Sequence, residues 1–271
     1  PFLHPLLKNF RRVTDVVLRR DVLLNFPYHS FDSVIDLLRE AAIDPEVTQI
    51  KITCYRLAGR SKIINALTNA VRNGKDVTVV LELRARFDEE ANLMWKQELE
   101  EAGVKVLIGL PNMKIHAKLC LIKKVSNGKT VHYGFVSTGN LNESTARIYG
   151  DHCLLTANRN IMADVNRIFH YLGQPKTRAK FLKACKTLLV SPTNMRAQIL
   201  ALIEKEIKAA RNGQPAAIAL KMNSLSDGQL ILKLYEAARS GVEIRMVIRG
   251  ICCMMTENAK FKVPVQAVSI V

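Results

Sequence analysis

At 271 residues, the chain is long enough for one large domain or two ordinary ones with a sizeable buried core. Its composition, 48% hydrophobic and 24% charged, is typical of globular proteins, and neither a membrane-spanning run nor a signal-peptide pattern is present. The formal net charge of +16 favours polyanionic partners such as nucleic acid, phosphorylated substrates or anionic lipid, whereas 6% aromatic residues leave little material for base stacking.

The cysteines show no metal-site or disulfide pattern. They are Cys54, Cys120, Cys153, Cys185, Cys252 and Cys253. No pair has the CxxC spacing and most lie in apolar runs, so we expect reduced core residues of an intracellular protein, without zinc. The chain starts at Pro1 without an initiator Met and ends in the β-rich "VQAVSIV", so we expect a piece of a longer protein.

Strand and helix patterns alternate along the first part of the chain. Residues 1–24 are expected to be a lead-in helix from a preceding domain. Beyond them, strands are predicted at 47–57, 76–83, 104–110 and 114–123, and helices at 61–74 and 88–101. Ser61 and Gly74 are the start and stop signals of the helix 61–74. Asn127-Gly128 predicts a hairpin turn into "TVHYGFV", and a strand near 149–157 and a helix at 161–172 complete the first domain, 25–187.

The pattern restarts in the remaining residues, 188–271. A helix is predicted at 195–212, followed by a strand at 216–224, a helix at 227–241 and a strand at 242–250. An offset of 167 residues superimposes Ala70 on Ala237 and Gly74 on Gly241, with strand, helix and strand in order. We therefore predict an α/β fold with a mixed sheet flanked by helices, formed by one complete copy of a repeat and a partial second copy.

The stretch "KIHAKLCLI" (114–122) is the strongest candidate for chemistry. On a strand, Lys114, His116 and Lys118 would share one face, opposite the apolar side chains. A histidine that accepts a phosphoryl group needs a ring nitrogen with a free lone pair and cations nearby that hold phosphate oxygens. The turn at Thr138-Gly139-Asn140 could add backbone N–H groups and an amide. A hydrogen-bonded histidine on a half-buried strand is the structural alternative.

Two arginines follow the ends of predicted strands. Arg56 lies just past the first strand and Arg86 just past the next, and the carboxyl ends of parallel strands usually form the binding edge of an α/β sheet. Arginine forks suit phosphate oxygens, although each could equally be an ordinary surface residue. Arg249 ends a strand of the second copy as the region of Arg84 and Arg86 ends one in the first, so it could be an equivalent phosphate ligand.

Many segments resemble the C-terminal half of bacterial polyphosphate kinase. They are "LNFPYHSFDSVIDLLREAAIDP", "ITCYRLAGRSKI", "VVLELRARFDEEAN", "KIHAKL", "STGNLNESTARIYGDHCLLTA", "VSPTN" and "VIRGICC". The resemblance runs from about residue 3 to the end and implies two phospholipase-D-like domains. It also implies reversible transfer of the ATP γ-phosphate to inorganic polyphosphate through a phosphohistidine, with Mg²⁺ as cofactor.

The resemblance assigns roles to individual residues. His116 matches the phosphorylated histidine of the family, and Lys118 is expected to assist it. Arg56 and Arg86 match the arginines of the magnesium–phosphate site, and Tyr149 and Arg249 match positions that contact ATP. The second catalytic histidine of the family would fall about six residues after Val271, so we expect this chain alone to be inactive.

The resemblance also implies the partners and the compartment. We expect ATP or ADP and polyphosphate as partners, no nucleic acid, a cytoplasmic location, an oligomeric parent protein and peripheral membrane association. One alternative is a phospholipase-D-type phosphodiesterase, but Lys123 stands where the usual HxKxxxxD pattern has its aspartate. The other is a polyanion-binding module without catalysis.

Overall fold

The alternating patterns fold into two units, Pro1–Leu188 and Leu189–Val271, in a computed structural model that describes residues 1–55, 61–82, 89–110 and 113–269. The sequence had suggested a boundary between residues 187 and 188. The predicted α/β class, with a mixed sheet flanked by helices, is confirmed in the first unit.

The first unit is built on a seven-stranded sheet. Its strands are β1 (Val22–Phe26), β2 (Val47–Cys54), β3 (Asp76–Leu81), β4 (Lys105–Ile108), β5 (Lys118–Ser126), β6 (Lys129–Ser137) and β7 (Asp151–Thr156). Its helices are α1 (Val13–Val17), α2 (Asp32–Ile43), α3 (Lys62–Arg72), α4 (Glu89–Glu101), α5 (Arg159–Gly173) and α6 (Pro175–Lys183), with short 3-10 helices at Pro5–Leu7 and Thr145–Arg147. The strand order is β1-β7-β6-β5-β2-β3-β4, in which β2, β3 and β4 are parallel and the other neighbours are antiparallel.

Apolar side chains on one face of the strands pack against helices and form the main core of this unit. Ile50, Ile52 and Cys54 of β2 are buried in one cluster with apolar side chains of α2 and α3. The parallel strands β2 and β3 are joined through α3, the crossover that parallel pairing requires. This arrangement brings the carboxyl ends of β2 and β3 to the same edge of the sheet.

The local signals for α3 and for the hairpin are confirmed. Ser61 is the N-cap of α3, and its Oγ accepts the Ile64 N–H at 3.4 Å. Gly74 follows the helix with a φ of 76°, a left-handed conformation that favours glycine. Asn127 and Gly128 both have positive φ between β5 and β6, as a type I′ turn requires.

Residues 1–24 differ from the expected lead-in helix. They contain the 3-10 helix, the short α1 and the first part of β1, and they lie within the first unit. Glu40 of α2 explains why α1 begins where it does, because its carboxylate accepts the Val13 and Thr14 N–H groups, both at 2.8 Å. β1 pairs with β7, so its register is set by a strand more than 120 residues away and not by local sequence.

The second unit repeats part of the first. It contains α7 (Met195–Arg211), β8 (Ala217–Met222), α8 (Gly228–Ser240), β9 (Glu243–Ile248) and β10 (Gln266–Val268). The three strands form a parallel sheet in the order β10-β9-β8, which matches the order β4-β3-β2. β3 and β9 are offset by 167 residues, as the sequence comparison predicted.

The cysteine prediction is correct for four residues and wrong for two. Cys54, Cys120, Cys153 and Cys185 are buried thiols, and burial raises the pKa of Cys54 and Cys153 to about 12. Cys252 and Cys253 are exposed, because they follow the end of β9 and no longer belong to an apolar strand.

Among the described residues, no helix combines the length and the apolar composition needed to cross a lipid bilayer.

Candidate functional site

The candidate site lies where β2 and β3 end and β5 begins. Tyr55 follows β2, Glu82 follows β3, and Lys118 is the first residue of β5. β5 runs antiparallel to β2, with Ile52 opposite Cys120, so the start of β5 lies beside the end of β2. The topology therefore brings three separate parts of the chain to one edge of the sheet.

The predicted strand 114–123 begins later than expected, at Lys118. Residues 114–117 have no regular structure because side chains bind their backbone. The Glu82 carboxylate accepts the Ile115 N–H at 2.8 Å, and the Thr53 hydroxyl donates to the Ala117 carbonyl at 2.7 Å. Lys114 and His116 are exposed and Lys118 is buried, but all three side chains contact the Tyr55 ring, as a shared face predicts.

The structure nevertheless brings His116 and Lys118 into direct contact. Lys118, only 2% exposed, places Nζ 3.1 Å from His116 Nδ1 and 2.5 Å from the His116 carbonyl oxygen. An ammonium group has donors only, so Nδ1 must accept, and a neutral ring then carries its proton on Nε2. The contact fixes both the tautomer and the orientation of the imidazole.

An aromatic ring adjoins this pair. The Tyr55 ring lies edge-on to the His116 imidazole, with centroids 5.1 Å apart and planes at 68°. The ammonium groups of Lys114 and Lys118 lie 5.2 and 5.0 Å from the Tyr55 ring centroid. Two ammonium groups and an imidazole are therefore close to one ring, which makes the site strongly electropositive.

The loop that contains Asn140 starts beside Lys118. Lys118 pairs with Ser137, the last residue of β6, and Asn140 follows three residues later. The loop is held to β7, because the Thr138 hydroxyl donates to Asp151 Oδ1 at 2.7 Å. A Cβ at Gly139 would lie 2.7 Å from Asp151 Oδ2, so this close approach requires glycine. Asn140 Oδ1 is buried and has no hydrogen-bond partner within the described residues.

Glu82 is a functional candidate that the sequence reasoning missed. It is 3% exposed, and a Cβ on Gly109 would lie 3.0 Å from its Oε2, so the carboxylate is tightly enclosed. It binds the residue that immediately precedes His116. A glutamate directly after an apolar strand was the available signal, but its partner is 33 residues away in the sequence.

The remaining predicted residues are placed in different ways. Tyr149 is exposed, two residues after the 3-10 helix Thr145–Arg147. Arg249 lies in the second unit, where its Nε donates to Asn223 Oδ1 at 2.8 Å. Arg56 and Arg86 lie outside the described residues.

The topology changes the expected equivalence of Arg249. The residue that follows β3 is Glu82 and the residue that follows β9 is Arg249. Their backbone N–H groups donate to the last residues of β2 and β8, Cys54 and Met222. Arg249 thus corresponds to Glu82, and not to the region of Arg84 and Arg86.

Neither a metal cluster nor a ligand set for Mg²⁺ is formed by the described residues. Among the side chains that the structure describes, no group of three or more His, Cys, Asp or Glu residues could hold a metal ion. Arginine side chains carry N–H donors only, so Arg56 and Arg86 could hold phosphate oxygens but could not coordinate Mg²⁺.

Comparison with solved structures supports the fold. The chain is similar over 99% of its length to the crystal structure of polyphosphate kinase from Porphyromonas gingivalis, with a TM-score of 0.86 and 38% identity, covering 44% of that chain. It is also similar over 80% of its length to phosphatidylserine synthase from Haemophilus influenzae, covering 58% of that chain, with a TM-score of 0.51. The latter identity is 12%, so this likeness shows a shared fold and nothing about activity.

Comparison of sequences gives the family. The chain is 48% identical over 248 residues to "Polyphosphate kinase" from Vibrio cholerae serotype O1, and 45% identical over 262 residues to "Polyphosphate kinase" from Escherichia coli K12. It spans 35% and 38% of the length of these relatives, while they match 92% and 97% of it. Residues 12–178 match the family described as polyphosphate kinase C-terminal domain 1, and residues 188–271 match C-terminal domain 2. The chain therefore belongs to the polyphosphate kinase family.

Proposed function

We propose that this chain is the phosphoryl-transfer region of an enzyme that moves the γ-phosphate of ATP to inorganic polyphosphate, with His116 as the phosphoryl acceptor. The observation that carries the proposal is the contact between Lys118 Nζ and His116 Nδ1 beside a second lysine and an aromatic ring. Family membership supports the choice of ATP and polyphosphate as substrates.

The proposed reaction has two steps. In the first, Nε2 of exposed His116 loses its proton to solvent and forms a bond to the γ-phosphorus, while Lys118 holds Nδ1, and the bond between that phosphorus and the β,γ-bridging oxygen breaks with its electron pair leaving on ADP. In the second, a terminal oxygen of polyphosphate attacks the same phosphorus, the P–N bond breaks, and Nε2 takes back a proton from solvent to regenerate the imidazole. Both steps are reversible, because the same groups serve in each direction.

The cationic side chains have a common role in this proposal. Lys118 holds the imidazole through Nδ1, so it fixes which nitrogen carries the proton, and Lys114 supplies a second positive charge near the transferred group. The Asn140 amide, in the loop beside Lys118, would orient a phosphate oxygen. Arg56, Arg86 and Arg249 are proposed as phosphate and nucleotide ligands from their positions after strand ends and from the resemblance, and Tyr149 is proposed from the resemblance alone.

Mg²⁺ remains a proposal without a ligand set in the described residues. Phosphate oxygens are its preferred ligands in kinases, and the ion would then arrive with the nucleotide. No step above depends on a metal ligand from this chain.

The decisive experiment is phosphoryl labelling of His116. We expect γ-labelled ATP to give an acid-labile, base-stable label in the wild type, although this chain alone is expected to make no polyphosphate, and His116→Ala to remove the label completely. His132→Ala is the matched control, because His132 lies on β6 of the same sheet and is not part of the proposed site. Label that persists in His116→Ala, or that disappears in His132→Ala, would contradict the assignment.

The alternative function is polyanion binding without catalysis, which the net charge of +16 favours. A binder would retain polyphosphate but would show no base-stable label from ATP. The same labelling experiment therefore separates the two functions.

The cytoplasmic location, the oligomeric state and the membrane association stay predictions.

A further inference from the structure

Tyr55 has an unusual position for a core tyrosine. It lies directly after β2 and is 8% exposed, yet its ring contacts three residues of the 114–118 segment. The contacts are the edge-on stacking with His116 and the two cation–π contacts with Lys114 and Lys118.

The buried ammonium group of Lys118 needs stabilisation by protein groups. At 2% exposure it has lost most contact with water, which is unfavourable for a charge. Its Nζ donates to the carbonyl oxygen and Nδ1 of His116, and the Tyr55 ring adds an attractive surface 5.0 Å away. Cation–π attraction is strongest where both partners are withdrawn from water, as here.

The imidazole of His116 is held from two directions. His116 is exposed and lies outside the regular part of β5, so the strand ladder does not orient it. Lys118 contacts its Nδ1, and the Tyr55 ring contacts its side at 68° between planes. Tyr55 thus touches both members of the reactive pair.

We propose that Tyr55 is a positioning residue, whose aromatic ring keeps Lys118 against His116 Nδ1 and orients the imidazole for phosphoryl transfer. Tyr55 acts through these two side chains and not on the substrate. The inference rests on the proposed role of His116 as phosphoryl acceptor.

Substitutions at Tyr55 can separate the effect of the aromatic ring from the effects of side-chain volume and of the hydroxyl group. Tyr55→Leu keeps an apolar side chain but removes the π face, whereas Tyr55→Phe keeps the ring and removes only the hydroxyl. Tyr133→Leu is a matched control, because Tyr133 is a fully buried tyrosine of β6 in the same sheet. If Tyr55→Leu does not fold, 3,4,5-trifluorophenylalanine at this position is compared with Tyr55→Phe, because both keep the ring and lack the hydroxyl, while the fluorine atoms weaken the attraction of the ring for cations.

Two readouts are measured in this chain. The first is the rate at which potassium phosphoramidate, a small phosphoryl donor, labels His116. We expect Tyr55→Leu or the trifluorinated ring to slow labelling about tenfold, and Tyr55→Phe to restore it to within about threefold of the wild type. The second is the ¹⁵N NMR pattern of the His116 ring, which we expect to show Nε2–H in the wild type and a mixture of tautomers in Tyr55→Leu.

A double-mutant cycle with Lys118→Met distinguishes positioning from a general packing role. If Tyr55 acts through Lys118, Tyr55→Leu has little further effect on labelling once Lys118 is replaced, because coupled residues are not additive. A merely structural role would give the same loss in both backgrounds and would resemble Tyr133→Leu.

The outcomes of the two readouts are independent. Wild-type protein that takes no label at His116 from either phosphoramidate or ATP would contradict the proposed function, while the NMR pattern would still test Tyr55. An unchanged NMR pattern in Tyr55→Leu, or in the trifluorinated protein, would overturn the role of Tyr55 even if His116 is labelled.

Discussion

Burial and exposure of single side chains decide the chemistry at the edge of the first sheet. Lys118 is buried and His116 is exposed, although they are two residues apart, because the chain leaves the strand conformation between them. The exposed imidazole can meet a phosphate, and the buried ammonium controls its orientation. Alternation alone would have placed both side chains in the same environment.

Glu82 is expected to control the backbone that precedes His116. Glu82→Ala removes the acceptor for the Ile115 N–H, and leaving such a buried donor unpaired costs about 1–3 kcal/mol. We therefore expect faster hydrogen exchange at the Ile115 amide. Glu82→Gln retains an amide oxygen that can accept the same hydrogen bond, so exchange should stay slow. Equal exchange rates in Glu82→Ala and wild type would show that this hydrogen bond does not hold the segment.

At the scale of elements, short-range sequence signals located helix ends and the hairpin turn correctly, because residues close in sequence determine these features. The cap at Ser61, the glycine after α3 and the Asn127-Gly128 turn are short-range devices, and each was found. Sequence periodicity did not predict the segments whose structure depends on contacts with residues far away in the sequence. β1 depends on pairing with β7, and the loop 114–117 depends on Glu82 and Thr53, whose partners are 33 and 64 residues away. Such contacts leave no periodic pattern.

Asp44 connects three elements, since it follows α2 and binds Arg12 before α1 and Lys124 of β5. Its Oδ2 lies 3.2 Å from Arg12 Nη2 and 2.7 Å from Lys124 Nζ. Burial alone would raise the pKa of Asp44, but hydrogen bonds from Lys124, the Glu46 N–H and Arg12 outweigh burial and lower it. The charged carboxylate therefore stabilises the fold at neutral pH.

The sign of the pH dependence follows from the lowered pKa of Asp44. Its stabilisation is fully present above the unfolded-state pKa of about 3.9 and is lost as the pH falls through the lower folded-state pKa. We expect Asp44→Asn to reduce the free energy of unfolding by about 1–3 kcal/mol at pH 7. The difference should begin to shrink below pH ~4 and should vanish only below the folded-state pKa, where the wild-type carboxyl is also neutral. Urea unfolding at several pH values measures this, and a constant difference down to pH ~2 would contradict it.

At the scale of the whole molecule, one α/β pattern is used twice with opposite charges at the same position. The residue after the middle parallel strand is Glu82 in the first unit and Arg249 in the second. Glu82 is enclosed and binds backbone, whereas the Arg249 guanidinium binds Asn223 and lies at the surface. The repeat thus fixes the backbone at both positions, and the side chain determines whether the position supports a neighbouring segment or lies at the surface.

The net charge of +16 predicts how the chain responds to salt. Binding of a polyanion to a basic surface releases counterions, so the logarithm of the affinity should fall linearly with the logarithm of the salt concentration. We expect affinity for long-chain polyphosphate to fall by about 10²-fold or more between 50 and 500 mM KCl, since several phosphates are neutralised together. Sucrose at matched osmolarity is the control, because it changes water activity without screening charge. Fluorescence anisotropy of labelled polyphosphate measures the affinity, and an equal loss in sucrose, or no loss in KCl, would show that binding does not depend on the basic charge.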